Sequence, residues 1–215
     1  MKDKQAVKLD NVAACFYFWH TNNMRKIILA SSSPTRKRLL ESTGLVFEVD
    51  PSSYEEDMTL PLSPDELVKF LSKEKAKTVI PRYEDAIVIS ADTIISFNNI
   101  IIGKPHTAEK AKNVLKMLSG NTHSAFTGLT VVDTKDNKII NKAIETKLIF
   151  KNVSNETIDD YIKNGNPLKY AGSYTLPDIE DTFVEKVIGS PSNVMGLPIE
   201  ELMEILKEFN VVIKK

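Results

Sequence analysis

Residues 86–90 read AIVIS, and Ala91-Asp92-Thr93 follows without a break. A continuous apolar run has no polar face to turn to water, so it reads as a strand buried on both faces. A strand of that kind needs covering layers, which points to a mixed α/β architecture. Asp92 then stands at the C-terminal end of a buried strand, the position at which open α/β sheets bind ligands. Taken alone, it reads equally as a turn aspartate.

The rest of the chain supplies the layers. Ile27–Ala30 and Val46–Val49 read as strands, with a helix over Thr35–Ser42 that stops at Gly44. Ser63-Pro64-Asp65-Glu66 is a helix start: Ser63 caps, Pro64 sits at N1, and Glu66 completes a capping box. Leu67, Phe70, Leu71 and Ala76 continue it as a helical stripe to about Val79. Thr93–Phe97 and Ile100–Ile102 flank Asn98-Asn99, a hairpin turn. Helices follow over Thr107–Leu118, Ser154–Lys163 and Pro198–Phe209, and strands over 122–132, 138–150 and Phe183–Ile188. The order predicts two lobes around one cleft within a single domain over 24–215. Residues 1–23, including the short apolar run ACFYFW, read as an extension outside the core, too short for a membrane span.

Composition narrows the function. The 215 residues carry 28 Lys+Arg against 29 Asp+Glu, a net charge of −1. That balance, with no aromatic-basic face, disfavours a nucleic-acid binder. One cysteine, Cys15, cannot form an intrachain disulfide, so a reducing compartment is expected. The three histidines have no metal-ligand spacing, and any metal would be a hard ion held by carboxylates.

The stretch KIILASSSPTRKRLL (26–40) breaks a local rule. Ser33 reads as an N-cap and Pro34 as N1, so Arg36, Lys37 and Arg38 fall in the first turn. Positive charge at that end opposes the helix dipole by roughly 0.3–1 kcal/mol. A bound anion removes the conflict, since free N–H groups, serine hydroxyls and guanidinium together cradle phosphate. On its own the stretch also reads as a solvated basic turn or a phosphorylation site. Glu55, Glu56 and Asp57, and Lys104 in IIGKP, read alone as surface groups. Together with Asp92 they suggest phosphates held by cations and a divalent ion held by carboxylates, the two needs of phosphoryl chemistry.

These pieces, with KEKAKTV (73–79), GKP (103–105), LSGNTHSAFTG (118–128), AGSY (171–174) and GSPSNVMGLP (189–198), occur in an order that resembles the Maf family of nucleoside triphosphate pyrophosphatases, first linked to septum formation. The resemblance runs from residue 26 nearly to the C-terminus. It implies an elongated mixed sheet with flanking helices, two lobes around a nucleotide cleft as in Maf and ITPase-like folds, and a cytoplasmic homodimer that binds neither nucleic acid nor membrane. It implies hydrolysis of a nucleoside triphosphate to monophosphate and pyrophosphate with Mg²⁺ or Mn²⁺, as house-cleaning of the nucleotide pool. Carried over by position, Ser31, Ser33 and Arg36 contact phosphates, and Lys75 and Lys104 neutralise their charge. Glu56 binds the metal, Asp92 activates water or binds the metal, and Thr93 lines the base pocket. Asn193 falls in a matching motif with no chemistry assigned to it. The substrate reads as a non-canonical or pyrimidine triphosphate; the competing readings are a pyrophosphatase for a modified purine such as 7-methyl-GTP and a nucleotide-binding regulator of division with little turnover.

The chain departs from the pattern within the cleft. Thr35 stands where the family has a first arginine, Tyr170 where it has a lysine, and Pro177 where members preferring thymidine or uridine triphosphates carry glutamine. Asp178, Glu180 and Asp181 follow in a normally glycine-rich stretch, either as part of metal or base recognition or as an acidic surface loop. Thr93 leans toward the pyrimidine subgroup and Pro177 away from it.

Overall fold

The computed structural model describes residues 25–211, so the extension expected at 1–23 lies outside the described residues. One seven-stranded sheet organises them. Its strands are β1 (Lys26–Leu29), β2 (Glu48–Val49), β3 (Ala86–Phe97), β4 (Ile100–Ile102), β5 (Thr122–Asp133), β6 (Ile139–Phe150) and β7 (Val184–Ile188). The spatial order is β2-β1-β3-β5-β6-β7, with β4 against the remaining edge of β3. β1 runs parallel to β2 and to β3, and the other pairings are antiparallel.

Helices cover the sheet. They are α1 (Pro34–Glu41), α2 (Pro64–Val79), α3 (Ala108–Leu118), α4 (Asn155–Asn164), α5 (Leu176–Phe183), α6 (Pro191–Val194) and α7 (Ile199–Glu208). The expected signals operate at their ends. Ser33 Oγ accepts the Arg36 N–H at 3.4 Å, and the Ser63 N–H donates to the Glu66 carboxylate at 3.2 Å. Asn98 and Asn99 both take positive φ, as a two-residue hairpin turn demands.

Two lobes form around β3. One core joins Leu29, Leu40, Ile89 and Val131 to Leu202 and Ile205 of α7. The other joins Ile95, Leu115, Phe150 and Ile158 to Ile179 and Phe183 of α5. β3 is a single strand of 12 residues, not two short ones broken at Asp92. What ends near Asp92 is the pairing. β1 leaves the edge of β3 at Ile89, and β4 joins that edge only at Ile95. Asp92 and Thr93 lie in the gap between them, with β5 continuous behind.

The second unexpected element is α5. The acidic stretch forms a helix, with Ile179 buried and Asp178, Glu180 and Asp181 exposed. Alternation of leucine, isoleucine and phenylalanine with the acids gives it an inner face, which a loop reading overlooks.

Helix α2 packs tightly on β5 at Gly128. Gly128 is the partner of Asp92 in the β3–β5 ladder. A Cβ built there would come within 1.9 Å of the Val68 carbonyl oxygen and 2.8 Å of Ser72 Oγ. The obstacle is backbone, so the helix itself would have to move. Gly128→Ala is therefore expected to destabilise the fold by about 3 kcal/mol, read as a lowered midpoint in urea denaturation, with a loss of activity from displacement of Lys75.

Candidate active site

The gap in the sheet opens onto a cleft of about 670 Å³, lined by residues from both lobes. The β1–α1 segment supplies Ser31, Ser33, Arg36 and Arg38. The loop after β2 supplies Glu56, α2 supplies Lys75, β3 supplies Thr93, and the loop after β4 supplies Lys104. The far wall is formed by the 169–175 segment and the turn at 194–196. Asp92 is almost fully buried at the floor, 3% exposed, behind Lys75.

Lys75 organises this floor. Its ammonium donates to Glu56 Oε1 at 2.5 Å and to Asp92 Oδ1. Two carboxylates from distant segments thus converge on one cation. Burial opposes the charge on Glu56. Lys75, with help from Lys104 and Arg36, more than offsets it and holds the carboxyl below its usual range.

Arg36 lies half-buried on the opposite side. Burial pulls its guanidinium below the usual value, against the attraction of Asp92 and Glu56, yet an arginine remains charged. Its nitrogens donate to the Gly196 carbonyl at 2.7 Å, to Thr93 Oγ1 at 3.1 Å and to Ser31 Oγ at 3.4 Å. Ser31 Oγ also accepts the Ser33 N–H at 3.2 Å.

All eight residues expected from the sequence therefore gather at one place: Ser31, Ser33, Arg36 and Lys104 at the wall, Glu56, Lys75, Asp92 and Thr93 at the floor. Three of the departures fall as follows. Thr35 lines the cleft, but so does Arg38 one helical turn further along. Tyr170 lines it, and its neighbour Lys169 lines it too. Among the described residues neither Arg38 nor Lys169 has a carboxylate partner, and nor has Lys104. Pro177 is exposed on α5 and outside the cleft lining, as are Asp178, Glu180 and Asp181.

The sequence reading missed Lys169, Tyr174, Met195 and Gly196. Tyr174, Met195 and Gly196 fall within quoted motifs, which is the available signal; nothing local distinguishes Lys169 from other lysines. Tyr174 has its ring at the cleft and its hydroxyl 2.8 Å from His123 Nε2, in the buried core of the second lobe. Phe150 packs edge-on against His123 at 4.5 Å between ring centroids. Burial pushes the imidazole down to about 4, so His123 is neutral at pH 7.

Comparison with known proteins agrees with this geometry. The family model described as "Maf-like protein" matches residues 26–209. The chain is 41% identical over 191 residues to the dTTP/UTP pyrophosphatase of Methanococcoides burtonii, covering 88% of this chain and 98% of that protein. It is 41% identical to the dTTP/UTP pyrophosphatase of Bacillus cereus strain ATCC 10987, covering 88% and 92%. The corresponding protein of Bacillus cereus strain ZK is 42% identical, covering 87% and 97%.

The buried histidine gives a pH prediction. Unfolded His123 titrates near its usual 6.5, while the folded group holds no proton until about pH 4. Between those values the unfolded chain binds more protons, so stability present above pH 6.5 is lost as pH falls toward 4, by about 3 kcal/mol in all. Urea midpoints at pH 7 and pH 4.5 should fall further apart for the wild type than for His123→Gln.

Proposed function

The chain belongs to the Maf family, and we propose that its cleft is the active site of a nucleoside triphosphate pyrophosphatase with a preference for the pyrimidine substrates dTTP and UTP. The observation that carries this reading is the convergence of Glu56 and Asp92 on Lys75 beneath a wall of cations. A triphosphate brings several negative charges, and the cleft offers Arg36, Arg38, Lys104 and Lys169 to meet them. The named relatives act on dTTP and UTP, which supports the pyrimidine preference. With Pro177 outside the cleft, the contacts to the base fall to the 170–175 wall.

The chemistry is attack of water on the α-phosphorus with departure of pyrophosphate. Asp92 orients the water and takes its proton as the new P–O bond forms. Arg36, with Ser31 and Ser33 beside it, fixes the phosphate chain in line for that attack. Lys104 offsets the charge that accumulates on the leaving pyrophosphate, while the exposed Arg38 and Lys169 attract the phosphate chain equally before and during the reaction.

The donor set fits a divalent ion. Two carboxylates already share one cation, and Mg²⁺ is held by one or two carboxylates plus substrate phosphates rather than by an all-protein cage. No group of three or more metal-ligating side chains is present among the described residues. We assign Glu56 and Asp92 as the groups that would hold Mg²⁺ or Mn²⁺, which when bound neutralises phosphate charge. A cytoplasmic homodimer is part of the same proposal; light scattering of the purified chain tests the dimer. A regulator without turnover needs no buried carboxylate beside its phosphate site, so that reading gains no support from the geometry.

Pyrophosphate release from a panel of triphosphates tests the function. dTTP and UTP should lead the panel, EDTA should abolish turnover, and Asp92→Asn should lower kcat by roughly 100-fold or more. Equal turnover by Asp92→Asn would overturn the assignment of the base. Arg38→Met and Lys169→Met should each raise KM roughly 3- to 5-fold, as expected for solvent-exposed charge contacts, with kcat little changed.

A further inference from the structure

Arg36 is held by a closed circuit of hydrogen bonds that runs through residues with no assigned role. One guanidinium nitrogen donates to Thr93 Oγ1 at 3.1 Å. Thr93 Oγ1 lies 2.9 Å from Thr127 Oγ1, and Thr127 Oγ1 donates to the Asn193 carbonyl at 3.0 Å. That carbonyl also accepts the Gly196 N–H at 2.9 Å. The Gly196 carbonyl accepts Arg36 Nε at 2.7 Å and closes the ring.

The protons in this circuit have only one arrangement. A guanidinium only donates and a carbonyl only accepts. Thr127 spends its proton on Asn193, so the proton between the two threonines belongs to Thr93. The Thr93 hydroxyl is thereby committed twice, as acceptor from Arg36 and as donor to Thr127. It has no proton left for a nucleotide base. Bonds aligned head to tail in a buried setting polarise one another, and here a cation stands at the donor end.

Asn193 anchors the far side of the ring. It is fully buried, 0% exposed. Its amide donates to the Ala125 carbonyl at 3.2 Å, the Ile144 carbonyl at 3.1 Å and Thr146 Oγ1 at 3.0 Å. These acceptors belong to β5 and β6, so this side chain helps to pin the short helix α6 to the sheet, together with the bond from Thr127. Gly196, at φ +99°, completes the fit, since a Cβ there would stand 3.2 Å from Thr93 Oγ1 and 3.3 Å from Arg36 Nε.

We propose that Thr127 and Asn193 are positioning residues that fix the Arg36 guanidinium toward the phosphates, through Thr93 and Gly196 respectively. Three of the five guanidinium N–H groups are occupied by protein, to Gly196, Thr93 and Ser31, which leaves the others for substrate. The inference rests on the reading of Arg36 as a phosphate contact.

A double-mutant cycle on UTP hydrolysis tests it, with kcat/KM measured for Thr127→Val, Arg36→Gln and the two combined. Thr127→Val should lower kcat/KM roughly 10-fold in the wild-type background and have no further effect beside Arg36→Gln. Thr127→Ser keeps the hydroxyl and should restore kcat/KM to within about 3-fold of wild type. Thr127→Ala replaces Thr127→Val in the cycle if the latter fails to fold. An equal loss in both backgrounds overturns the proposal, because a residue that only fills the core acts independently of Arg36. No effect of Arg36→Gln alone would instead overturn the phosphate reading beneath it.

Discussion

Everything at the active site depends on how closely one helix can lie on the sheet. Gly128 gives α2 a seat with no side chain beneath it, and the Val68 carbonyl fills the space a Cβ would occupy. This sets the height of the helix above β3 and β5. Lys75, two turns along from Val68, is then at the right depth for its ammonium to meet both Asp92 and Glu56. A buried carboxylate at the sheet floor would be costly without such a partner. The packing of α2 and the ionisation of the floor are thus one problem with one solution. Ser72 joins them, bonded to Thr130 at 2.8 Å and accepting from Asn141 at 3.2 Å on the same helix–sheet seam.

The second constraint is topological. A strand of 12 residues is longer than either of its edge partners, so β1 and β4 leave part of β3 uncovered. Unpaired backbone at such an edge invites a ligand or solvent, and here the uncovered stretch carries Asp92 and Thr93. The chain fills the surroundings with groups that tolerate exposure. Among the described residues Lys104 and Arg38 form no ion pair with a carboxylate, and Arg36 is fixed by hydroxyl and carbonyl oxygens rather than by an acid. Cations arranged this way attract phosphate without first having to surrender an ion pair.

Local signals in the sequence were sufficient for most elements. The caps at Ser33 and Ser63, the Asn98-Asn99 turn and the glycine after α1 each act within a few residues, and each appears where expected. The family motifs brought the eight site residues to one cleft. What could not be read depends on distance. The run through Asp92 looked like a strand end because an acid interrupts it, whereas the interruption is solved by Lys75 from another element. α5 was hidden by its charges, since only the burial of Ile179 and Phe183 reveals its inner face. Asn193 had no visible task because its three acceptors belong to strands about 50 to 70 positions away in the chain. Lys169 gave no local signal, because only the path of the 167–173 segment brings it to the cleft wall.

The bond from Arg36 to Gly196 joins residues 160 positions apart. The wall of the cleft at Arg36 is therefore built from nearly the first and nearly the last parts of the described fold. During synthesis, β1, α1 and β3 emerge well before the turn that steadies Arg36 and before α7, which completes their shared core. Long-range closure of this kind is slow to form. A chain that ends before this turn lacks the carbonyl that holds Arg36. The setting of Arg36 is thus one of the last features of the fold to be completed, and connectivity alone makes it so.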